Sequence, residues 1–122
     1  MSVTAQECMQ AVQAACAMLR DADATAWSVQ EQAEFLTLSH TSIATLQSAQ
    51  HAVVAAFDAA GGAQQHCCRT TASWLRANLH LTGPQAGGLV YTARALRDHL
   101  PGTAAAFRDG RISLEHVEAI RK

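Results

Sequence analysis

Apolar residues recur along this chain at steps of three and four, the spacing of one helix face, and no stretch alternates as a strand would. The first pattern runs from Met1 to Ala26. Thr4 with Glu7 makes a capping box, and Val12, Ala15 or Cys16, and Leu19 form the inner stripe. Asp21-Ala22-Asp23 is a loosening point for its end. Ser28 with Glu31 opens a second and longer helix that reaches about Ala60. Its stripe is Leu36, Ser39, Ile43, Leu46, Gln50, Val53 and Phe57, a heptad-like seam interrupted by Ser39 and Gln50. Such a seam serves either bundle packing or a dimer interface. Gly61-Gly62 ends the helix, and Ala63 to Arg69 reads as an internal linker.

Shorter helices fill the second half. One spans Thr71 to Leu79, with Ala72, Leu75 and Leu79 on one face and Trp74 beside them. Thr82 and Gln85 form a capping box for the next, and Pro84 suits its first turn, where a missing N–H costs nothing. Ala86, Leu89, Val90, Ala93, Leu96 and Leu100 continue that helix to Pro101. Another runs from about Thr103 to Gly110. Ser113 starts a last one with Leu114, Val117 and Ile120 inside, expected to continue past Lys122. The whole predicts an all-α single domain of five or six helices over residues 1–122. A long N-terminal helical hairpin is followed by a helix-turn-helix-like bundle, in which Trp74, Leu75, Leu89, Val90, Leu96 and Phe107 are mostly buried.

Two helices joined by a short link containing Gly outline a helix-turn-helix. The Trp74-Leu75 pair, the Ala-x-x-Leu-Val-x-x-Ala-x-x-Leu run from Ala86 to Leu96, Leu100-Pro101, and Gly110-Arg-Ile-Ser113 before His116 add a resemblance. The second half resembles an actinobacterial family, domain of unknown function 222, found in mycobacterial repeat-family proteins ahead of a C-terminal HNH endonuclease domain. It departs from that family at Gly87-Gly88. The resemblance implies a non-catalytic N-terminal module of an HNH endonuclease-type protein. The H-N-H constellation itself is absent from this sequence.

Charge sharpens the picture. The net charge is −1, yet residues 1–65 carry one Arg against six acids and residues 66–122 carry eight basic residues against four acids. The acidic part ends near residue 62 and the basic part begins at 66. Such a split suits an anionic partner for the second half, or attraction between the halves within the fold or a dimer. In the first case, the second helix of the hairpin offers Gln85, Tyr91, Thr92 and Arg94 to base edges of duplex DNA, with Arg69 and Arg76 on phosphates. In the second case, the chain is a helical dimerisation or protein-interaction module, a homodimer through the helix at 28–60, with no nucleic-acid contact.

Other chemistry is thinly supported. His66-Cys67-Cys68 has zinc-ligand residue types but lacks paired spacings, and Cys8 and Cys16 lie on another helix. Six histidines show no H-E-x-x-H pair; His116 with Glu115 and Glu118 is the nearest acid–base group and reads as a solvated helix face. No metal, cofactor or catalytic residue is expected. Trp74 is either a base-stacking platform or the large anchor of a small-residue core. The N-terminus has no signal-peptide pattern and no apolar run spans a membrane. A cytoplasmic protein with reduced cysteines is therefore expected.

Overall fold

The computed structural model describes residues 2–121 and is all-helical, with no strand among them. Seven α-helices occur in it: α1 (Ala5–Asp21), α2 (Val29–Ala59), α3 (Gly62–Gln65), α4 (Thr71–Leu79), α5 (Gly83–Asp98), α6 (Pro101–Arg108) and α7 (Leu114–Ile120). A 3-10 turn at Ala24–Ala26 lies between α1 and α2. The count exceeds the expected five or six because α3 sits inside the supposed linker. Four residues are too short to show a period, but Ala63 is fully buried there. Contacts divide the chain into two compact units, one up to Leu36 and one from Thr37 onward.

In the first unit, local capping chemistry sets the helix boundaries. Thr4 Oγ1 accepts the Glu7 N–H at 3.1 Å and starts α1. Asp23 accepts from Thr25 N–H at 3.1 Å and holds the 3-10 turn. Ser28 and Glu31 then exchange two bonds, of 2.8 and 3.1 Å, to start α2. Trp27 meets Phe35 edge to face at 5.2 Å. No residue of α1 is buried. The expected stripe of Val12, Ala15 or Cys16, and Leu19 is thus exposed, because so short a unit has too little chain to enclose a core of its own.

The second unit has its core in two clusters. One joins Val54 and Ala55 of α2 to Leu75 of α4 and Ala86, Val90 and Ala93 of α5, with Trp74 and Leu89 half-buried against it. The other joins Ala44 of α2, Leu96 of α5, Phe107 of α6 and Val117 of α7. Leu79, expected inside, is exposed; the chain turns at His80 into the left-handed region with φ 56°, leaving it no wall to pack against.

The largest correction concerns α2. Its buried residues are Ala44, His51, Val54 and Ala55. The expected seam lies about one residue step, roughly 100°, around the helix from that face. Leu36, Ile43, Leu46 and Val53 are between 51% and 69% exposed. Small side chains at 44 and 55 occupy the covered side, while the larger aliphatics stay outside.

Glycines close the elements as the sequence suggested. Gly61 ends α2 at φ 70°. Gly62 admits no side chain, since an added Cβ would stand 2.4 Å from the Phe57 ring. Pro101 begins α6, two residues before the expected start, and its fixed φ suits that position.

Candidate functional site

The α4–α5 hairpin is built from two capping boxes. Thr70 pairs with Ser73 at the head of α4. Thr82 N–H donates to Gln85 Oε1 at 2.9 Å, and Gln85 N–H donates to Thr82 Oγ1 at 3.2 Å. The outward face of α5 borders a cleft of about 800 Å³ whose walls include Thr70, Gly87, Tyr91, Arg94, Asp98 and Arg121.

The candidate DNA contacts fall into different settings. Arg94 grips Asp58 of α2 with two bonds, Nε to Oδ2 and Nη2 to Oδ1, both 2.9 Å. The Thr71 hydroxyl donates to Asp58 Oδ1 at 2.6 Å. Arg94 is therefore engaged in holding α2, α4 and α5 together. Thr92, expected on the polar face, is 1% exposed, and its hydroxyl has no protein partner. Thr is nearly the shape of Val, so its place one residue from the stripe drew it inside. Gln85 is exposed, with its Oε1 committed to the cap. Tyr91 is exposed and lies under Arg121, whose guanidinium carbon stands 4.9 Å from the ring centre. Arg69 and Arg76 are exposed, and among the described residues neither makes an ion pair.

Most other arginines of the second half are satisfied internally. Arg97 binds Asp98 at 2.8 and 3.0 Å and donates to Ala55 O at 3.2 Å. Arg108 and Arg111 both approach Asp109, at 3.8 and 3.5 Å. Part of the charge split between the halves thus appears as attraction inside the fold, through Asp58 and Arg94.

Hydrogen bonds from Arg94 and then from Thr71 hold the Asp58 carboxyl at about 2, below its ordinary 3.8. A depressed carboxylate stabilises the fold above its unfolded pKa and loses that contribution as pH falls through the folded one. Stability should therefore drop between about pH 4 and pH 2. Asp58→Asn should flatten that step in acid-unfolding curves. Its neutral-pH cost should stay below the full linkage value, because Arg94 is half-exposed and water screens the pair.

His51 is the functional-type residue that sequence reasoning passed over. It is 3% exposed, its Nδ1 lies 2.7 Å from Gln47 O, and its ring meets Phe107 edge-on at 5.7 Å. Burial pushes its pKa down. Together with Thr92, Glu118 and Arg121 it lines a small cavity of about 270 Å³.

The remaining expectations resolve into structural roles. Trp74 packs at 4.7 Å on Phe57 and 6.1 Å from His66, as one wall of the first cluster. His116 caps α7, its Nδ1 accepting the Ser113 N–H at 3.2 Å. Among the described residues, no three His, Cys, Asp or Glu side chains gather as a metal site, and no helix is long and apolar enough to cross a membrane.

These features define an all-helical domain organised on a capped helical hairpin that rests against one long helix. The model of one family, domain of unknown function (DUF222), matches residues 34–122, well over half of the chain. The chain belongs to that family. No curated protein and no solved structure matches it.

Proposed function

We propose that this chain is a non-catalytic helical module that works by protein–protein contact through the outward face of α2. In the longer proteins that the resemblance implies, it stands ahead of an HNH-type nuclease domain in an actinobacterial cytoplasm. One observation carries the reading. Positions 35 to 57 contain no Asp, Glu, Lys or Arg, yet Leu38, Ile43, Leu46 and Val53 on this stretch are 64%, 55%, 51% and 66% exposed. A helix that meets only water carries charge on its open face; several exposed aliphatic side chains on an uncharged stretch suit a contact surface.

Duplex DNA is the second reading, favoured by Arg69 and Arg76, which stand exposed and, among the described residues, without ion pairs. A photo-reactive residue placed at Leu46 and, separately, at Arg76 separates the two in cells producing the protein. Protein adducts from position 46 with none from 76 support contact through α2. Nucleic-acid adducts from 76 with nothing from 46 overturn it in favour of DNA. In that event Arg69→Ala and Arg76→Ala should each lower the salt slope of binding by about one unit, and Arg20→Ala should leave it unchanged.

A further inference from the structure

Three helices of the second unit turn polar groups without protein partners toward one small cavity. Its walls include Gln47 and His51 of α2, Gly88 and Thr92 of α5, and Glu118 and Arg121 in and just after α7. All of them lie in the unit from Thr37 onward. The Thr92 hydroxyl is buried there with no bond, and so is Arg121 Nε. His51 Nδ1 lies 2.7 Å from Gln47 O, which can only accept, so Nδ1 carries the proton. Burial lowers the pKa of the ring, and in the neutral ring Nε2 is then a bare acceptor. Glu118 and Arg121 stand three residues apart, a spacing at which opposite charges on a helix pair. Among the described residues, however, neither has an ion-pair partner. Unpartnered polar atoms that converge on one cavity suit a polar ligand.

Charge decides the class of ligand. A free anion would face Glu118, and a free cation would face Arg121. A divalent metal is disfavoured by that same arginine, and one imidazole with one carboxylate is a poor ligand set; among the described residues no third such group joins them. A molecule that carries both charges satisfies both residues. We infer that this cavity binds a small zwitterion, a free aliphatic α-amino acid, with its ammonium toward Glu118 and His51 and its carboxylate toward Arg121 and Thr92. An ammonium has three N–H donors, which match the Glu118 carboxylate, His51 Nε2 and the Gln47 amide oxygen. A carboxylate only accepts, and Arg121 Nε–H and the Thr92 hydroxyl are the donors that stand unused.

Size bounds the ligand further. The volume of about 270 Å³ is several times the roughly 30 Å³ share of one water and falls just below the roughly 300–1,000 Å³ of drug-sized sites. A single amino acid is of this order, and a peptide is too large. Leu89 and Leu114 supply the apolar part of the wall. Gly88 adds room, since nothing stands within 4 Å of its missing Cβ. An aliphatic side chain suits that surface. Glu118 and Arg121 are only half-buried, so water screens part of each charge and a dissociation constant of about 0.1–1 mM is expected.

Amide-resolved NMR of the isotope-labelled chain tests this by titration with L-alanine, L-valine and L-leucine up to about 10 mM. At least one should shift the signals of Gly88, Thr92 and Glu118 saturably. The same molecule stripped of its carboxylate or of its ammonium, isobutylamine or isovalerate in the case of L-valine, should bind at least tenfold more weakly. Thr92→Val keeps the shape and loses the hydroxyl, so affinity should fall about tenfold while the melting temperature stays level or rises. Gly88→Leu should fill the cavity and abolish binding. Should either variant unfold, Arg121→Gln at the half-exposed end of α7 gives the same reading, with a loss of about tenfold. Saturation by none of the three amino acids overturns the inference. Equal binding of the stripped amine or acid overturns it, and so does unchanged affinity in a folded variant. The α2 contact is independent of these results and is decided by the adducts from Leu46.

Discussion

Replacing Phe107 with alanine should lower the unfolding free energy by about 3–5 kcal/mol, much of the roughly 5–15 kcal/mol that holds a domain of this kind together. Phe107 has no exposed surface and packs with Ala44, Leu96 and Val117. Its ring also meets the buried His51 edge-on. Removing it strips the second cluster of its largest member and leaves that imidazole beside a void. Urea unfolding followed by far-ultraviolet dichroism measures the loss. A change below about 1 kcal/mol would mean that α6 and α7 fold without this cluster, contrary to the packing described.

Gly110→Ala is the second large effect, expected to cost about 2–4 kcal/mol from left-handed strain and overpacking together. Gly110 has φ 72°, and an added Cβ would lie 2.8 Å from the carbonyl oxygen of Thr41. That oxygen belongs to the α2 backbone and has little room to retreat. Close by, Thr45 Oγ1 donates to Arg108 O at 3.0 Å, pinning the end of α6 to α2. Gly102→Ala is the control, because nothing stands within 4 Å of its missing Cβ. Thermal melts that put the two variants at the same midpoint would defeat the argument.

The features legible in the sequence were those set by neighbours three or four residues away. Thr4, Ser28 and Thr82 start helices because a hydroxyl and a nearby N–H are all that a cap requires. Gly61 ends one because a left-handed residue is needed there. Longer-range choices could not be read this way. Period alone shows that α2 has an apolar stripe, not which of two adjacent faces the rest of the unit covers. Small Ala44 and Ala55 and the hidden His51 took the covered side, and the aliphatic seam stayed out. Asp58 and Arg94 are 36 positions apart, so no spacing rule joins them. An isolated carboxylate at the end of an uncharged stretch was the available hint. Of the six residues proposed for DNA, Arg69 and Arg76 stand exposed, Tyr91 lies under Arg121, Gln85 is occupied by its cap, Arg94 by Asp58, and Thr92 is enclosed.

Gly87 and Gly88 stand in the body of α5 with open space where side chains would be. Against alanine, each forgoes roughly 0.5–1 kcal/mol of helix preference. The helix is tied at its head by Thr82 and Gln85 and in its second half by the Arg94–Asp58 grip. Ala86 and Val90, both buried in the first cluster, flank the two glycines. The regularity of α5 at that point therefore comes from packing on either side and not from the helix preference of the residues that form it.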